Sequence, residues 1–259
     1  MNTIHSKLSK FEPISLEESS SVKLMNRTDT KFVFNLEKLN SVLNKASDYY
    51  KIMEINNIRL PLYRTLYFDT DDFSMYKAHH QGKMNRYKIR HREYVDSNIS
   101  FFEVKFKSNK RKTLKKRIKQ DQINEILSKE SQAFLEGNSP FISNSLKATI
   151  YNEFSRITLV NCEKKERITI DTGLTFKNNN DKILLDSLVI SEVKREGFSG
   201  SSAFIDILKS EKIYPGKISK YCTGTAMMYT NLKYNRFKPR FINLNKITNG
   251  NNNFEHILR

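Results

Sequence analysis

The sequence predicts an α+β fold dominated by an antiparallel sheet or barrel. Two observations lead there. Several separate segments alternate polar and apolar residues with period two, the mark of half-buried strands. Between them lie stretches with an apolar stripe at helical spacing, bounded by capping residues or by glycine and proline. A third observation sets the character of the sheet: the polar sides of the strands are ionic, and most of their charges are cations.

The elements follow in order. "RTDTKFVF" puts Arg27, Asp29 and Lys31 on one face of a strand. Asn35 caps the helical "LEKLNSVLNKASDYY", where Leu36, Leu39, Val42, Leu43 and Ala46 form the stripe. "YRTLYFDT" reads as the next strand. In "NRYKIRHREY" alternate side chains share a face, so Arg86, Lys88, Arg90 and Arg92 lie side by side opposite Tyr87, Ile89, His91 and Glu93. "SFFEVKFK" sets Glu103, Lys105 and Lys107 against Phe102, Val104 and Phe106. "QINEILSKESQAFLEG" is a helix stopped at Gly137. "ERITIDT" sets Arg167, Thr169 and Asp171 against Ile168 and Ile170, and "LVISEVKRE" aligns Glu192, Lys194 and Glu196. "SSAFIDILKSEKIYPG" is a helix that ends at Pro215-Gly216, and "KYCTGTAMMYTNL" is the last helix. "KNNND" reads as a loop and "TNGNNN" as a frayed terminus.

With 8 Gly and 5 Pro in 259 residues, no linker stands out. One compact domain is expected over residues 21–240, with an N-terminal extension over 1–20 and a tail over 241–259. The 45 Lys+Arg against 28 Asp+Glu, a formal charge of +17, favour a polyanionic partner. Cys162 and Cys222 are far apart and read as two buried thiols of a reducing cytoplasm. The N-terminus has no apolar signal region and no stretch approaches a membrane span, so a cytoplasmic location is expected.

On an ordinary half-exposed sheet a polar face is a solvated mixture. Here ionic faces recur from strand to strand. If they point inward, the cations surround a cavity where their repulsion calls for an anionic guest. Arg holds phosphate oxygens in a bidentate fork and Lys holds them as a point charge. The lone carboxylates suit a hard divalent cation that bridges phosphates.

"RTDTKFVF", "YFDTDDFSMYKAHHQGKMNRYKIRHREY", "FFEVKFKSNKRKTLKKR", "RITIDTGLTF", "SEVKRE" and "KISKY" resemble, in order, the motifs of the VTC domain, the polyphosphate polymerase domain of the vacuolar transporter chaperone. That family belongs to the triphosphate tunnel metalloenzymes, or CYTH-like proteins. The resemblance spans Met25 to Leu232. It implies an eight-stranded antiparallel β-barrel tunnel with a basic lumen, flanked by helices. It also implies roles. Lys31, Arg90, Arg92, Lys105, Arg156 and Lys220 would be catalytic. Arg27, Lys88, Lys107, Arg117, Lys194, Lys217 and Ser219 would bind substrate, and Glu192 would hold Mn²⁺ or Mg²⁺. The family has Tyr two residues before the arginine that matches Arg156, whereas this chain has Phe154, and Tyr151 is off the spacing. Hydrolytic relatives begin with Glu-x-Glu-x-Lys, whereas Arg27, Asp29 and Lys31 stand here.

The activity so implied is transfer of the γ-phosphate of a nucleoside triphosphate, ATP above all, to a growing inorganic polyphosphate. Two alternatives accompany it: a metal-dependent tripolyphosphatase or nucleoside triphosphatase, and a non-catalytic polyphosphate- or nucleic-acid-binding module. Larger family members carry an SPX domain and a transmembrane region, so coupling to a membrane would need a separate partner. The basic run "KSNKRKTLKKRIK" reads as a loop and strand at the cavity mouth. It lacks the interleaved aromatics of a nucleic-acid surface. His79 and His80 read as an exposed turn before Gly82, and Asp69, Asp71 and Asp72 as a strand end and turn.

Overall fold

The computed structural model describes residues 2–20, 27–110, 112–197, 201–250 and 255–258. The N-terminal residues supply α1 (Asn2–Leu8), β1 (Pro13–Ile14) and α2 (Leu16–Ser20). β2 (Arg27–Asn35) follows, then a short 3₁₀ turn over Leu36–Lys38, where the Asn35 side chain accepts from Glu37 N–H. The turn leads into α3 (Leu39–Ala46), and the predicted stripe Leu39, Val42, Leu43 and Ala46 is buried. β3 (Lys51–Met53) and β4 (Leu62–Thr70) precede α4 (Ser74–His80). β5 (Arg86–Tyr94), β6 (Ile99–Lys107) and β7 (Thr113–Gln120) form a meander. α5 (Lys129–Glu136) is shorter than its sequence pattern, because Ser128 caps it at Ser131. The long β8 (Leu146–Asn161) turns into β9 (Glu166–Lys177), with β10 (Lys182–Leu185) and β11 (Leu188–Glu196) next. α6 (Ala203–Ser210), α7 (Lys220–Met228), α8 (Lys238–Ile247) and α9 (Glu255–Leu258) complete the chain.

The strands form one sheet of eleven, with the path β2-β11-β9-β8-β4-β5-β6-β7 and with β1, β3 and β10 beside it. Every pairing is antiparallel except β1 with β3. The eight-stranded barrel implied by the resemblance is therefore corrected: the sheet is open, and its end strands β2 and β7 do not pair with each other. Both edges have a physical reason to stay apart. β7 is exposed along most of its length and carries Lys115, Lys116, Arg117 and Lys119, charges that oppose strand addition. The free edge of β2 is already met by the chain before α7, where Phe32 bridges Pro215 and Gly216 N–H donates to the Lys31 carbonyl at 2.8 Å.

The sheet carries apolar packing on both faces. One face packs Phe32, Phe34, Ile157, Leu159, Ile168, Ile170 and Val193 against α1, α3 and α6. Farther along it, Leu66, Phe68, Ile89, Phe102 and Val104 meet Leu135 of α5. On the other face, Tyr63, Tyr67, Ile150, Phe154, Phe176 and Ile190 pack against α7 and against Phe241 and Leu244 of α8. Gly224 permits the close approach of α7: a Cβ there would stand 2.4 Å from the Phe176 ring. This second face is the ionic one, and α7 covers only part of it.

Other expectations also need correction. Cys222 is buried but Cys162 is exposed. His79 and His80 are not in an exposed turn; they end α4, His79 half-buried and His80 buried. The stretch TNGNNN, read as a frayed terminus, is not frayed at its start: Thr248 is buried and its hydroxyl donates to the Leu244 carbonyl at 3.0 Å. Asn251 to Asn253 lie outside the described residues.

Candidate functional site

Strand register decides which charges become neighbours. Across β5, β6 and β7, Arg90 faces Glu103, which faces Arg117. One step outward, Lys88 faces Lys105, which faces Lys115; beyond them Arg86 faces Lys107, which faces Thr113. Directly opposed residues hold their Cβ atoms about 4.5–5.5 Å apart, so the first row alternates in sign while the next two set like charges together. Across the other half, Lys31 faces Glu192, Asp29 faces Lys194, and Arg156 faces Asp171.

Of the deeper cations, Arg156, Lys220, Arg90 and Lys194 are paired with carboxylates, whereas Arg92 donates to the Thr65 hydroxyl at 3.3 Å and lies over the Tyr63 ring. Arg156 makes a bidentate ion pair with Asp171, at 2.6 Å from Nε and 2.8 Å from Nη2, and Lys220 donates to the same carboxylate. Arg90 Nη2 stands 2.6 Å from Glu103, which also pairs with Lys115. Glu192 pairs with Lys194, and Lys31 lies 3.9 Å away. Burial penalises both Asp171 and Glu103, yet the adjoining cations hold each well below the usual carboxylate range. Glu192 is held down at about 2, chiefly by Lys194 and Lys31 against its burial.

The outer cations are not paired. Among the described residues, Lys88, Lys105, Lys107, Arg86 and Lys217 have no carboxylate within ion-pair distance. Burial, reinforced by Arg90 and Arg92, pushes Lys105 well below its ordinary value. Lys88 is also lowered by burial, and its Nζ meets the Ser219 hydroxyl at 3.0 Å. Ser219 in turn caps α7, so the start of α7 and β5 are tied together at the cleft.

These residues line a cleft of about 550 Å³ whose walls include Asp29, Lys31, Lys88, Lys105, Glu192 and Lys217. That volume is in the range of small-molecule sites. A second cavity, about 500 Å³, lies by α6 on the opposite face, and Lys164 is the only Lys or Arg among its lining residues.

The structure brings Lys31, Lys88, Lys105, Lys107, Lys217, Ser219 and Glu192 to the cleft itself. Arg90, Arg92, Arg156, Lys194 and Lys220 stand on the same sheet face or beside it, in the interior, where all but Arg92 are paired with a carboxylate. Arg117 points the same way on β7 but is exposed, its guanidinium over the Phe101 ring at 4.2 Å. Arg27 opens β2 opposite Glu196, and its side chain lies outside the described residues. Tyr151 faces away and donates to Glu125. Phe154 lies beneath both Lys220 and Arg156, at 4.2 and 5.1 Å from its ring centre.

Sequence reasoning gave no role to several residues that the site uses. Asp171 and Glu103 hold the interior cations. Tyr63 stacks on Phe154 with ring centres 5.4 Å apart and takes Arg156 on its face. Tyr67 is buried, which raises its phenol pKa, but Arg90, Arg92 and Lys88 overcome this and bring it to about 8. The signal for the two acids was present, since both share strand parity with the cations. The two tyrosines required knowing which strands flank β4. Asp69 is structural: it accepts from the backbone N–H groups of Thr70, Met75 and Tyr76 and from the Tyr221 hydroxyl.

For a divalent metal, the donor set is partial. Among the described residues no group of three or more His, Cys, Asp or Glu converges. Asp171 has both oxygens engaged, and the carboxylates on the cleft wall are Asp29 and Glu192, the latter paired with Lys194 and Lys31. So small a donor set suits an ion completed by substrate phosphates, not one held by protein alone.

The VTC domain family model matches residues 26–229. No curated protein matches the chain. Among solved structures, the chain is similar to a candidate adenylate cyclase from Bacillus halodurans, with 18% identity and TM-score 0.46 over 79% of this chain and 100% of that one. It is also similar to a candidate adenylyl cyclase from Hippeastrum described as having a dominant triphosphatase activity, with 12% identity and TM-score 0.45 over 78% of this chain and 96% of that one. No described helix is long and apolar enough to cross a membrane.

Proposed function

The chain belongs to the VTC domain family, and from that premise we propose that its basic cleft grips a triphosphate and transfers the terminal phosphoryl group. The observation that carries this reading is the set of unpaired cations Lys88, Lys105, Lys107 and Arg86. Opposed like charges on half-buried side chains destabilise the empty protein. An anion with several charges, spaced as along a polyphosphate, relieves all of them at once.

In this reading the triphosphate of a nucleoside triphosphate, or the end of an inorganic polyphosphate, lies along Lys31, Lys88, Lys105 and Lys107. Arg90, Arg92, Arg156 and Lys220 face the reacting phosphoryl group from the interior, with Lys217 and Ser219 at the start of α7. Catalysis rests on positioning and charge neutralisation, as phosphoryl transfer generally requires. Glu192 would hold a Mn²⁺ or Mg²⁺ together with phosphate oxygens, and that ion would neutralise further charge.

The acceptor separates two enzymes. The open sheet admits solvent to the cleft, which supports water as acceptor and hence a tripolyphosphatase or nucleoside triphosphatase. A polymerase is the second reading. It is favoured by Lys115, Arg117 and Lys119, which continue the basic face along β7 and offer a track for a chain.

Incubation of the purified protein with ATP or tripolyphosphate and Mn²⁺ tests this. Free phosphate without chains identifies the hydrolase, and phosphate ladders on a gel identify the polymerase. Either product should be lost in Lys105→Ala and on chelation of the metal. If Lys105→Ala turns over like the wild type, the cleft is not the site.

A further inference from the structure

On the sheet face turned away from the basic cleft, α6, the β8–β9 turn and the residues before β3 enclose the cavity of about 500 Å³. Glu166, the first residue of β9, lines it, and strand parity sets Glu166 on the side of Ile168 and Ile170. Glu166 is only 2% exposed. Its Oε2 accepts from the Tyr50 hydroxyl at 2.5 Å, and the Tyr50 oxygen accepts from Phe204 N–H at 3.0 Å, at the start of α6. Its Oε1 is buried and has no hydrogen-bond partner among the described residues. Arg195 is its cross-strand neighbour on β11 but makes no ion pair with it, and no other described Lys or Arg does. A buried carboxylate oxygen left without a donor is costly.

We propose that this cavity binds a linear alkyl diamine, with one ammonium group on Glu166 Oε1 and the other at Asp206. Two carboxylates, Glu166 and Asp206, line the cavity against one lysine, Lys164, which makes it a negative site on a chain of charge +17. Asp206 is open to a second ammonium: its ion pair with Lys209, one turn along α6, is 3.4 Å long, and both side chains are largely exposed. Tyr49, Tyr50, Ala203 and Ile207 supply the wall along which the methylenes between the two charges pack. An ammonium near tyrosine rings also gains from their quadrupoles. The site shares no residue with the basic cleft and stands whether or not that cleft transfers phosphate.

Other ligand classes fit this cavity less well. An anion would meet the unpaired Glu166 oxygen. A bare divalent cation would lack ligands, since among the described residues no group of three His, Cys, Asp or Glu converges. A neutral alcohol would donate to Oε1 but leave the buried charge uncompensated. An ammonium supplies both the donor and the charge. Tyr50 does not take over this role: burial, then Glu166, raise its phenol well above the ordinary value, so it stays protonated and its single O–H is spent on Oε2.

Calorimetric titration of the full chain at neutral pH, in a buffer free of phosphate, tests this. The probes are butane-1,4-diamine, butylamine and butane-1,4-diol. The diamine should saturate a single site, butylamine should bind several-fold more weakly, and the diol should not bind. Glu166→Gln should weaken the diamine by roughly ten-fold or more, the scale of one charge-assisted contact. Asp206 is exposed, so Asp206→Asn should melt with the wild type. It should abolish the advantage of diamine over butylamine and leave butylamine affinity unchanged. If Glu166→Gln does not fold, the Asp206→Asn comparison decides alone. The site is overturned if wild type shows no saturable diamine binding at millimolar concentration, or if the diol binds as tightly as the diamine. It is also overturned if folded Glu166→Gln binds like the wild type, or if Asp206→Asn keeps the full diamine advantage.

Discussion

Arg156 and Lys105 face the same side of one sheet, and both are largely withdrawn from water, yet their electrostatics differ. Arg156 shares Asp171 with Lys220, and the trio is complete without any guest. Lys105 is flanked across its strands by Lys88 and Lys115, and its charged form is disfavoured in the empty cleft. The interior is thus a preassembled ionic scaffold, and the outer rows are an unsatisfied receptor. A stable fold and a strong anion site are incompatible demands on the same cation. This molecule meets them by dividing the cations between two zones of one face.

Asp171→Asn should break the scaffold most severely. It leaves Arg156 and Lys220 buried with a neutral amide between them. Removing one partner of a buried ion pair destabilises by about 3–5 kcal/mol, so thermal melting should show a large loss. Tripolyphosphate should recover part of it by supplying the missing negative charge. A melting temperature equal to wild type would show that the interior pairs are not what holds these cations.

Lys105→Met should do the reverse. The methionine keeps most of the apolar stem and removes a charge that opposes its neighbours. The empty protein should melt at or above the wild-type temperature, while tripolyphosphate affinity falls by about 1.5–3 kcal/mol, the value of a charged hydrogen bond. Loss of stability without loss of affinity would erase the distinction between the zones.

The sequence carried the ionic face to within one residue, because strand parity is a local property. "NRYKIRHREY" and "SFFEVKFK" place Arg86, Lys88, Arg90, Lys105 and Lys107 together with no tertiary knowledge, and β5 and β6 present them so. Closure of the sheet was not local. The free edge of β2 meets the chain before α7, at Pro215 and Gly216, residues far in sequence from either end strand. Asp171 was visible as a polar residue of the right parity, but its role needed the antiparallel register that sets it opposite Arg156. His79 was misjudged because its surroundings come from β5, β6 and α8, elements that share no local pattern with α4.

The pH dependence sharpens the comparison at its border. Lys220 belongs to the scaffold through Asp171, but burial and then Arg156 lower its pKa to about 8. Above that pH the free protein loses this charge, so tripolyphosphate affinity should decline as pH rises through 8, by roughly one order of magnitude at most for one contact. Stability should move the other way: between 8 and the ordinary lysine value of about 10.4 the unfolded chain binds a proton that the folded one lacks, and folding gains as pH rises. On the acid side, Asp171 and Glu103 are depressed. Their stabilisation is present above the ordinary carboxylate range and is lost as pH falls below it. Lys220→Arg, which stays charged, should remove the alkaline decline in affinity; a decline that persists would assign it to Lys88 or Lys105 instead.

Phe154→Tyr should have the smallest effect. Phe154 occupies the position where the family carries tyrosine, and its ring already supports Lys220 and Arg156 and stacks on Tyr63. The positions of both cations are set by Asp171, not by a hydroxyl, so a phenol adds at most one hydrogen bond to the phosphate anion. A bond to a charged group is worth about 1.5–3 kcal/mol, and at a site whose cations are already placed the lower end applies, so turnover should rise by about ten-fold. Melting should hardly change unless the buried hydroxyl finds no partner. If Phe154→Tyr instead raised activity a hundred-fold or more, the phenol would be a principal ligand, and the interior zone would be an incomplete receptor like the outer one.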